Sequence, residues 1–307
     1  MRSILILPIV AFVSIFRLTG HFTEPRLSHA EIHAIVGEPA RIALVPAAAR
    51  PLKIVTWNIE HGARFNKIVV TLKAFDADVV LLQEVDRGCK RSGKVDVARE
   101  LAHALGMNWV TGGEFQEIGE AHGNAPAITG QAILSRTPIS DPAVIVFRKQ
   151  SSMRWRFNPF QPRRGARIAL RAQTAGLLVY SLHLESGGGD KQRTSQLMDV
   201  FTDQARYPGA NVVIAGDFNN SVGIHSFMFD AFRPAGFVDA LGAGPRRTSV
   251  DGRHPIDWLF AKGATETTGR VETVHDASDH YPLIATISWE QPELPRTGLV
   301  QGAAALR

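Results

Sequence analysis

The chain contains six short apolar runs that each lead into a side chain capable of chemistry, and this feature restricts its possible folds most strongly. The residues at these ends are Asn58, Glu84, His183, Asp217, Asp257 and His280. Layered folds hold functional groups rigidly at the ends of strands, along a shared rim. The repetition therefore predicts a sheet-based domain in which these side chains converge.

The spacing of apolar residues predicts both strands and helices. Runs with strand character cover 53–57, 79–82, 132–134, 177–184, 212–215 and 256–260. Helical spacing joins Ile68, Leu72 and Phe75, then Val97, Leu101 and Leu105, and then Leu197, Val200, Phe201 and Ala205. Such periodicities mark the buried faces of strands and helices. Their alternation along the chain predicts an α/β or α+β layered domain, with helices outside two packed sheets.

The domain organisation follows from composition along the chain. An apolar run at 4–16 is shorter than a membrane span and is typical of a signal-peptide core or a short anchor. We therefore assign 1–20 to a signal or membrane anchor, 21–51 to a proline-containing linker, 52–290 to the catalytic domain and 291–307 to an irregular tail. Export or membrane anchoring is the expected location, and the cytoplasm is the alternative.

Charge and cysteine content limit the partners and the metal chemistry. The chain has 34 basic and 29 acidic residues and a sequence pI near 9.6, which favours an anionic partner. Its single cysteine, Cys89, excludes an intramolecular disulfide and a cysteine metal cluster. Any metal must therefore be bound by oxygen and imidazole ligands. No obligate protein partner is indicated.

The acidic residues at the strand ends also indicate a cation. Taken singly, each polar residue is as well explained by a turn or a structural hydrogen bond. Several carboxylates at one rim, however, repel one another unless a cation or a proton compensates them. Oxygen ligands without thiolates favour Mg²⁺, Mn²⁺ or Ca²⁺ over a structural zinc ion.

The order of the motifs resembles that of the endonuclease/exonuclease/phosphatase superfamily over residues 52–289. The matching strings are VTWNIEHG, LLQEVD, GQAILSRTPI, YSLHLES, VIAGDFNN, PIDWLF and SDHYPL. Deoxyribonuclease I, exonuclease III-type apurinic endonucleases, neutral sphingomyelinases and inositol polyphosphate 5-phosphatases belong to that superfamily. The resemblance implies a four-layer α/β sandwich, in which helices flank two packed mixed sheets.

The resemblance also implies a metal site. In it, Glu84 is the principal metal carboxylate, Asn58 lies beside it, and Asp279 completes the ligand shell. The implied cofactor is Mg²⁺ or Mn²⁺, and the implied substrate is an anionic phosphoester.

The same resemblance gives roles to the remaining polar residues. Asp217 and Asn219 position or deprotonate the attacking water, and Asp257 orients His280. His183 stabilises negative charge or protonates the leaving oxygen. Whether Asp217 or His280 is the base stays open at this point.

A basic and aromatic stretch, Arg148 to Arg171, bears on the substrate. Interleaved arginines and aromatic rings suit a nucleic-acid backbone, an anionic membrane surface or simply a solvated loop. Arg164 or Arg167 occupies the position where the family often supplies an arginine for the substrate phosphate. Arg193 and Gln196 resemble an element that braces the sheet.

Three functions are therefore considered. The first is a metal-dependent phosphodiesterase that acts on nucleic acid. The second is a phospholipid phosphodiesterase, or an inositol-phosphate or small-molecule phosphatase, which the apolar N-terminus favours. The third is a non-catalytic binding module, and the retained cluster of like charges argues against it.

Overall fold

A computed structural model describes residues 26–38, 50–122, 125–151, 162–220, 227–244, 246–252, 255–273 and 276–289. The predicted anchor at 4–16 and the predicted tail at 291–307 lie outside these residues. Within the described part of the chain, no helix is long and apolar enough to cross a membrane.

Among the described residues, the first sheet is mixed and has eight strands. They are β1 (Ile35–Glu38), β2 (Leu52–His61), β3 (Val79–Arg87), β4 (Asn108–Glu117), β5 (Ile128–Ser135), β7 (Arg163–Gly165), β13 (Ala264–Val271) and β14 (Leu283–Trp289). Their order is β1-β4-β5-β3-β2-β14-β13, and β7 pairs with β4. Only β2 and β3 pair in parallel among these strands.

The second sheet, in the part of the chain that the structure describes, has six strands in the order β11-β12-β10-β9-β8-β6. They are β6 (Ser140–Val146), β8 (Ile168–Thr174), β9 (Leu177–His183), β10 (Val212–Asp217), β11 (Phe237–Asp239) and β12 (Asp257–Lys262). The central pair β9 and β10 is parallel, so the carboxyl ends of these two strands lie at the same edge.

Helices cover the outer faces of both sheets. They are α1 (His29–Ile32), α2 (Phe65–Phe75), α3 (Val97–Leu105) and α4 (Gly189–Gln204), with 3₁₀ turns at Lys90–Ser92 and Phe227–Ala231. In helix α3, capping residues determine where the helix begins and ends. The Asp96 side chain accepts the Arg99 N–H at its start, and Gly106 ends it in the left-handed conformation.

Three apolar clusters separate four layers. One joins α2 and α3 to the first sheet, one lies between the sheets, and one joins the second sheet to α4 and the Phe227–Ala231 turn. The inner cluster contains Ile54, Leu81, Leu170, Val179 and Val213, all buried. Burial of apolar area on this scale is the main favourable term in folding. The predicted fold class, two packed mixed sheets flanked by helices, is confirmed.

Residues 29–38 differ from the linker predicted for 21–51. Ser28 caps α1 in a reciprocal capping box with Glu31, and β1 pairs with β4 at the edge of the first sheet. The His33 ring lies 2.9 Å from the Gly113 carbonyl, which fixes the segment further. A four-residue helix and a four-residue strand are too short to produce a readable periodicity.

Candidate active site

Strand register places three of the predicted catalytic side chains next to one another. Asp217 of β10 pairs with His183 of β9 on one side and with Asp257 of β12 on the other. Directly opposite residues of neighbouring strands point to the same face, about 5 Å apart. Gly216 permits this close approach, because a Cβ at its position would lie 2.0 Å from the Leu182 carbonyl oxygen.

His280 joins this group from the loop before β14. Its Nδ1 lies 2.9 Å from Asp257 Oδ2, and its Nε2 lies 3.9 Å from Asp217 Oδ2. The loop itself is held in place, because the buried Trp57 indole donates to the His280 carbonyl at 2.9 Å. We call His183, Asp217, Asp257 and His280 the Asp217 cluster.

The surroundings of the Asp217 cluster change the proton affinities of its members. Burial, together with the charges of Asp257 and Glu84, raises the pKa of Asp217 to about 7, against the opposing effect of His280. Burial disfavours a charged His280, but Asp257 and Asp217 outweigh it and raise the pKa of His280 to about 10. Burial, with Arg167 and His280 nearby, holds the pKa of His183 well below its usual value. Of the two histidines His183 and His280, His183 is therefore the neutral one.

Asn219 acts on Asp217 from the turn after β10. Its backbone N–H donates to Asp217 Oδ1 at 2.8 Å, and its side-chain amide donates to the Leu184 carbonyl at 3.0 Å. Its φ of 48° is in the left-handed region, where asparagine is one of the residues most often found. The predicted catalytic residue Asn219 thus orients the Asp217 carboxylate.

Asn58 and Glu84 lie against the same cluster from the first sheet. The Asn58 side-chain amide donates to Asp217 Oδ2 at 3.3 Å. Glu84 Oε1 is 3.9 Å from His183 Nε2, which in turn is 3.5 Å from Asp217 Oδ2. The structure therefore brings the predicted metal carboxylate and the predicted catalytic residues to one place.

Irregular strand pairing positions Glu84. The register shifts between Gln83 and Val85 against β5, and Glu84 has a φ of 53°. The β2–β3 pairing shifts at the same level, between Asn58 and His61. Bulges re-aim side chains next to active sites, and a non-glycine residue in this conformation costs about 1–3 kcal/mol. The Glu84 side chain retains 27% of its exposure and remains accessible.

Glu84 belongs to a second group that the sequence did not reveal. His61 Nε2 is 3.2 Å from Glu84 Oε2, and His61 Nδ1 is 3.5 Å from Asp86 Oδ1. Asp86 is fully buried and accepts two hydrogen bonds from Arg91, at 2.7 and 2.9 Å. We call His61, Glu84, Asp86 and Arg91 the Glu84 cluster. The only sequence signals were a histidine and an aspartate close to Asn58 and Glu84.

The two arginines predicted to contact the substrate phosphate differ in placement, and Arg167 interacts electrostatically with Glu84 and Asp217. Arg167 is buried, and its guanidinium donates to Glu114 Oε2 at 3.0 Å. Arg164 lies in β7, where side chains alternate between faces, so it points away from the face of Arg163. Arg163 stacks 4.2 Å from the centre of the Phe115 ring and interacts electrostatically with Glu84. Sequence reasoning missed Arg163 because the register of a three-residue strand cannot be read from the sequence.

The rest of the basic stretch is partly used in internal ion pairs. Arg148 bonds Asp199 at 2.6 Å, and Arg171 lies 3.2 Å from Asp203. Residues 152–161, with the other predicted aromatic and basic contacts, lie outside the described residues. Arg193 donates to the Glu185 carbonyl at 3.0 Å and Gln196 accepts the Glu185 N–H at 3.0 Å, a bracing arrangement.

Comparison of the sequence with known proteins identifies the family of this chain. The sequence profile of the endonuclease/exonuclease/phosphatase family matches residues 55–280. The chain belongs to this family. Its members are metal-dependent phosphoesterases that act on nucleic acids, phosphosugars and other substrates.

Individual similarities are more distant. A UPF0294 protein of Vibrio cholerae is 23% identical over 237 residues, which cover 76% of each chain. The human Nocturnin catalytic domain with bound sulfate has a TM-score of 0.59 and 18% identity, covering 86% of this chain and 100% of that one. A structure of D. rerio TDP2 complexed with single-strand DNA product has a TM-score of 0.54 and 20% identity, covering 78% and 99%. These structural likenesses support the fold.

The residues present fit the divalent cation that the family typically uses. Glu84 offers an accessible carboxylate whose described neighbours are the imidazoles of His61 and His183. A second oxygen nearby is Asn58 Oδ1, which accepts the Glu60 N–H at 3.2 Å. Asp279, the third predicted ligand, is exposed, and its Oδ1 lies 3.3 Å from Ser278 Oγ, which also contacts the Asn58 carbonyl at 2.7 Å. The donor set is one that Mg²⁺ and similar hard cations prefer.

A second group could also hold a cation. Asp217, Asp257 and His280 offer ligand atoms that lie within 4.8 Å of one another. However, His280 Nδ1 and Asp257 Oδ2 are already joined by their own hydrogen bond. A cation among them would replace that bond, whereas one at Glu84 leaves it intact. This hydrogen bond is an argument for placing the cation at Glu84 instead.

Proposed function

We propose that this protein is a divalent-metal-dependent phosphodiesterase that acts on nucleic acid, with Mg²⁺ or Mn²⁺ at Glu84 and Asn58. One observation carries the proposal: His183 Nε2 lies between Glu84 and Asp217, at 3.9 and 3.5 Å. The proposed cation ligand Glu84 and the proposed proton acceptor Asp217 thus lie on either side of His183. Hydrolysis of a phosphodiester requires both.

The residues of the Asp217 cluster divide the proton chemistry. Asp217, oriented by the Asn219 N–H, accepts the proton of the attacking water. Asp257 holds His280 through Nδ1, so that Nε2 donates to the substrate phosphoryl group. His183 lies on the Glu84 side and stabilises the oxygen that leaves. When bound, the cation neutralises charge on the nonbridging oxygens.

Two features favour nucleic acid as the substrate. Arg163 stacks on Phe115 and interacts electrostatically with Glu84, so its guanidinium is available for a backbone phosphate near the site. The sequence pI near 9.6 adds a general attraction for polyanions. The D. rerio TDP2 complex shows that a protein of this fold binds single-strand DNA product.

A substrate panel tests the proposal. The full chain is assayed with Mg²⁺, Mn²⁺ or EDTA on plasmid DNA, single-stranded RNA, sphingomyelin vesicles and inositol phosphates. We expect metal-dependent cleavage of DNA or RNA, reduced by about 10³-fold in Asp217→Asn. If only sphingomyelin or inositol phosphates were hydrolysed, nucleic acid would be the wrong substrate class. The absence of any metal-dependent turnover would contradict the proposed activity.

We also propose that residues 4–16 direct export or anchor the chain at a membrane. The apolar character of this segment is the support. Cell fractionation of the full chain, compared with a Leu5→Asp and Ile9→Asp double variant, tests it. Identical distribution of both chains in the cytoplasm would contradict the proposal.

A further inference from the structure

His61 occupies a position where the backbone alone would favour glycine. Its φ is 65°, and Gly62, the next residue, has a φ of 74°. Histidine is one of the few side chains enriched in this conformation, but it still costs energy there. A second glycine would satisfy the turn at lower cost. The side chain of His61, and not only its backbone, therefore has a use at this bulge.

The contacts of the His61 ring show what that use is. Nε2 faces Glu84 Oε2 at 3.2 Å, and Nδ1 faces Asp86 Oδ1 at 3.5 Å and Thr129 Oγ1 at 3.4 Å. The ring keeps 20% of its exposure and is therefore partly accessible. It links the accessible carboxylate of Glu84 to the buried carboxylate of Asp86.

Asp86 is itself fixed from behind. Arg91 donates to both of its oxygens, and Arg91 Nη2 also lies 3.5 Å from Glu117 Oε1. A planar guanidinium that bonds both carboxylate oxygens fixes orientation as well as position. The series from Arg91 through Asp86 to His61 therefore has little freedom to rotate.

We propose that His61 is a positioning residue, which, backed by Asp86 and Arg91, holds the Glu84 carboxylate in the orientation that binds the divalent cation. The inference rests on the proposed function, and it assigns His61 no contact with substrate. Groups behind a metal ligand commonly fix its rotamer, and their loss weakens metal affinity by about 10- to 100-fold.

Direct measurement of Mn²⁺ binding by electron paramagnetic resonance tests the inference on the full chain without any substrate. We expect His61→Ala to weaken Mn²⁺ binding by about tenfold or more. His61→Gln keeps an N–H donor for Glu84 and should recover most of the affinity. His103→Ala, at an exposed histidine of α3, is the matched control and should bind as the wild type does.

Asp86→Asn provides a second variant, which leaves His61 in place and weakens its support. Its Mn²⁺ affinity should fall severalfold, and circular dichroism reports whether each variant folds. Unchanged affinity in a folded His61→Ala, or in Asp86→Asn if the alanine variant does not fold, overturns the inference while the proposed function stands. If the wild type binds no Mn²⁺ and cleaves nothing, the proposed function and the inference fall together.

Discussion

The Asp217 cluster and the Glu84 cluster contact each other, yet the backbone builds them in opposite ways. Regular pairing of β9, β10 and β12 places His183, Asp217 and Asp257 side by side. The Glu84 cluster instead depends on register shifts in β2 and β3. Regular strands therefore supply the groups that we propose to transfer protons, and bulges supply the accessible carboxylate that we propose to bind the cation.

We expect the two clusters to have different functions, which mutations can distinguish. Changes in the Asp217 cluster should act on turnover, because we propose that its members move or orient protons. Changes in the Glu84 cluster should act first on metal affinity. A variant of one cluster that produced the effect expected of the other would break the comparison.

The largest effect is expected for Asp217→Asn. Replacement of a general base typically lowers turnover by 10²–10⁴-fold, and we expect about 10³-fold, or about 4 kcal/mol in the barrier. Turnover of bis(p-nitrophenyl) phosphate at saturating Mn²⁺ measures it. Mn²⁺ affinity should change much less, and a variant that lost affinity but kept turnover would reverse the assignment of the two clusters.

Asp257→Asn should have the next largest effect, about 10²-fold on kcat, because His280 loses the charged partner that orients it. Since Asp257 does not touch the substrate, KM should remain nearly constant. Steady-state kinetics separate the two constants. Asp251→Asn, at an exposed residue, is the control. A rise in KM with unchanged kcat would show that Asp257 supports binding instead.

The smallest effect is expected for Arg163, which interacts with Glu84. Arg163→Ala should raise KM for a DNA oligonucleotide about tenfold, which corresponds to about 1.4 kcal/mol, and lower its salt dependence. Arg164→Ala, one residue away on the opposite face of β7, should change KM less than twofold. A larger rise in KM for Arg164→Ala than for Arg163→Ala would instead support Arg164 as the phosphate-contacting arginine, as the sequence resemblance implied.

The same contrast explains which parts of the molecule the sequence could reveal. The apolar runs that end at His183 and Asp217, and the run that begins at Asp257, indicated strands, and regular alternation sets which face each side chain occupies. The Asp217 cluster was therefore predictable as a group. No periodicity reports an inserted residue at a bulge, so the contacts of His61 and Asp86 with Glu84 could not be predicted. The ion pair of Arg167 with the buried Glu114 could not be predicted for a related reason, because it depends on another shift, between Gly113 and Phe115.

Metal-dependent hydrolysis by Glu84→Gln tests most directly whether the two clusters form one cation-dependent site. The substitution keeps the size of the side chain and removes its charge, so circular dichroism should remain that of the wild type. Bis(p-nitrophenyl) phosphate hydrolysis at fixed Mg²⁺ should fall by about 10²-fold or more, as expected when the main anionic ligand is lost. Full Mg²⁺-dependent turnover by a folded Glu84→Gln protein would contradict the account.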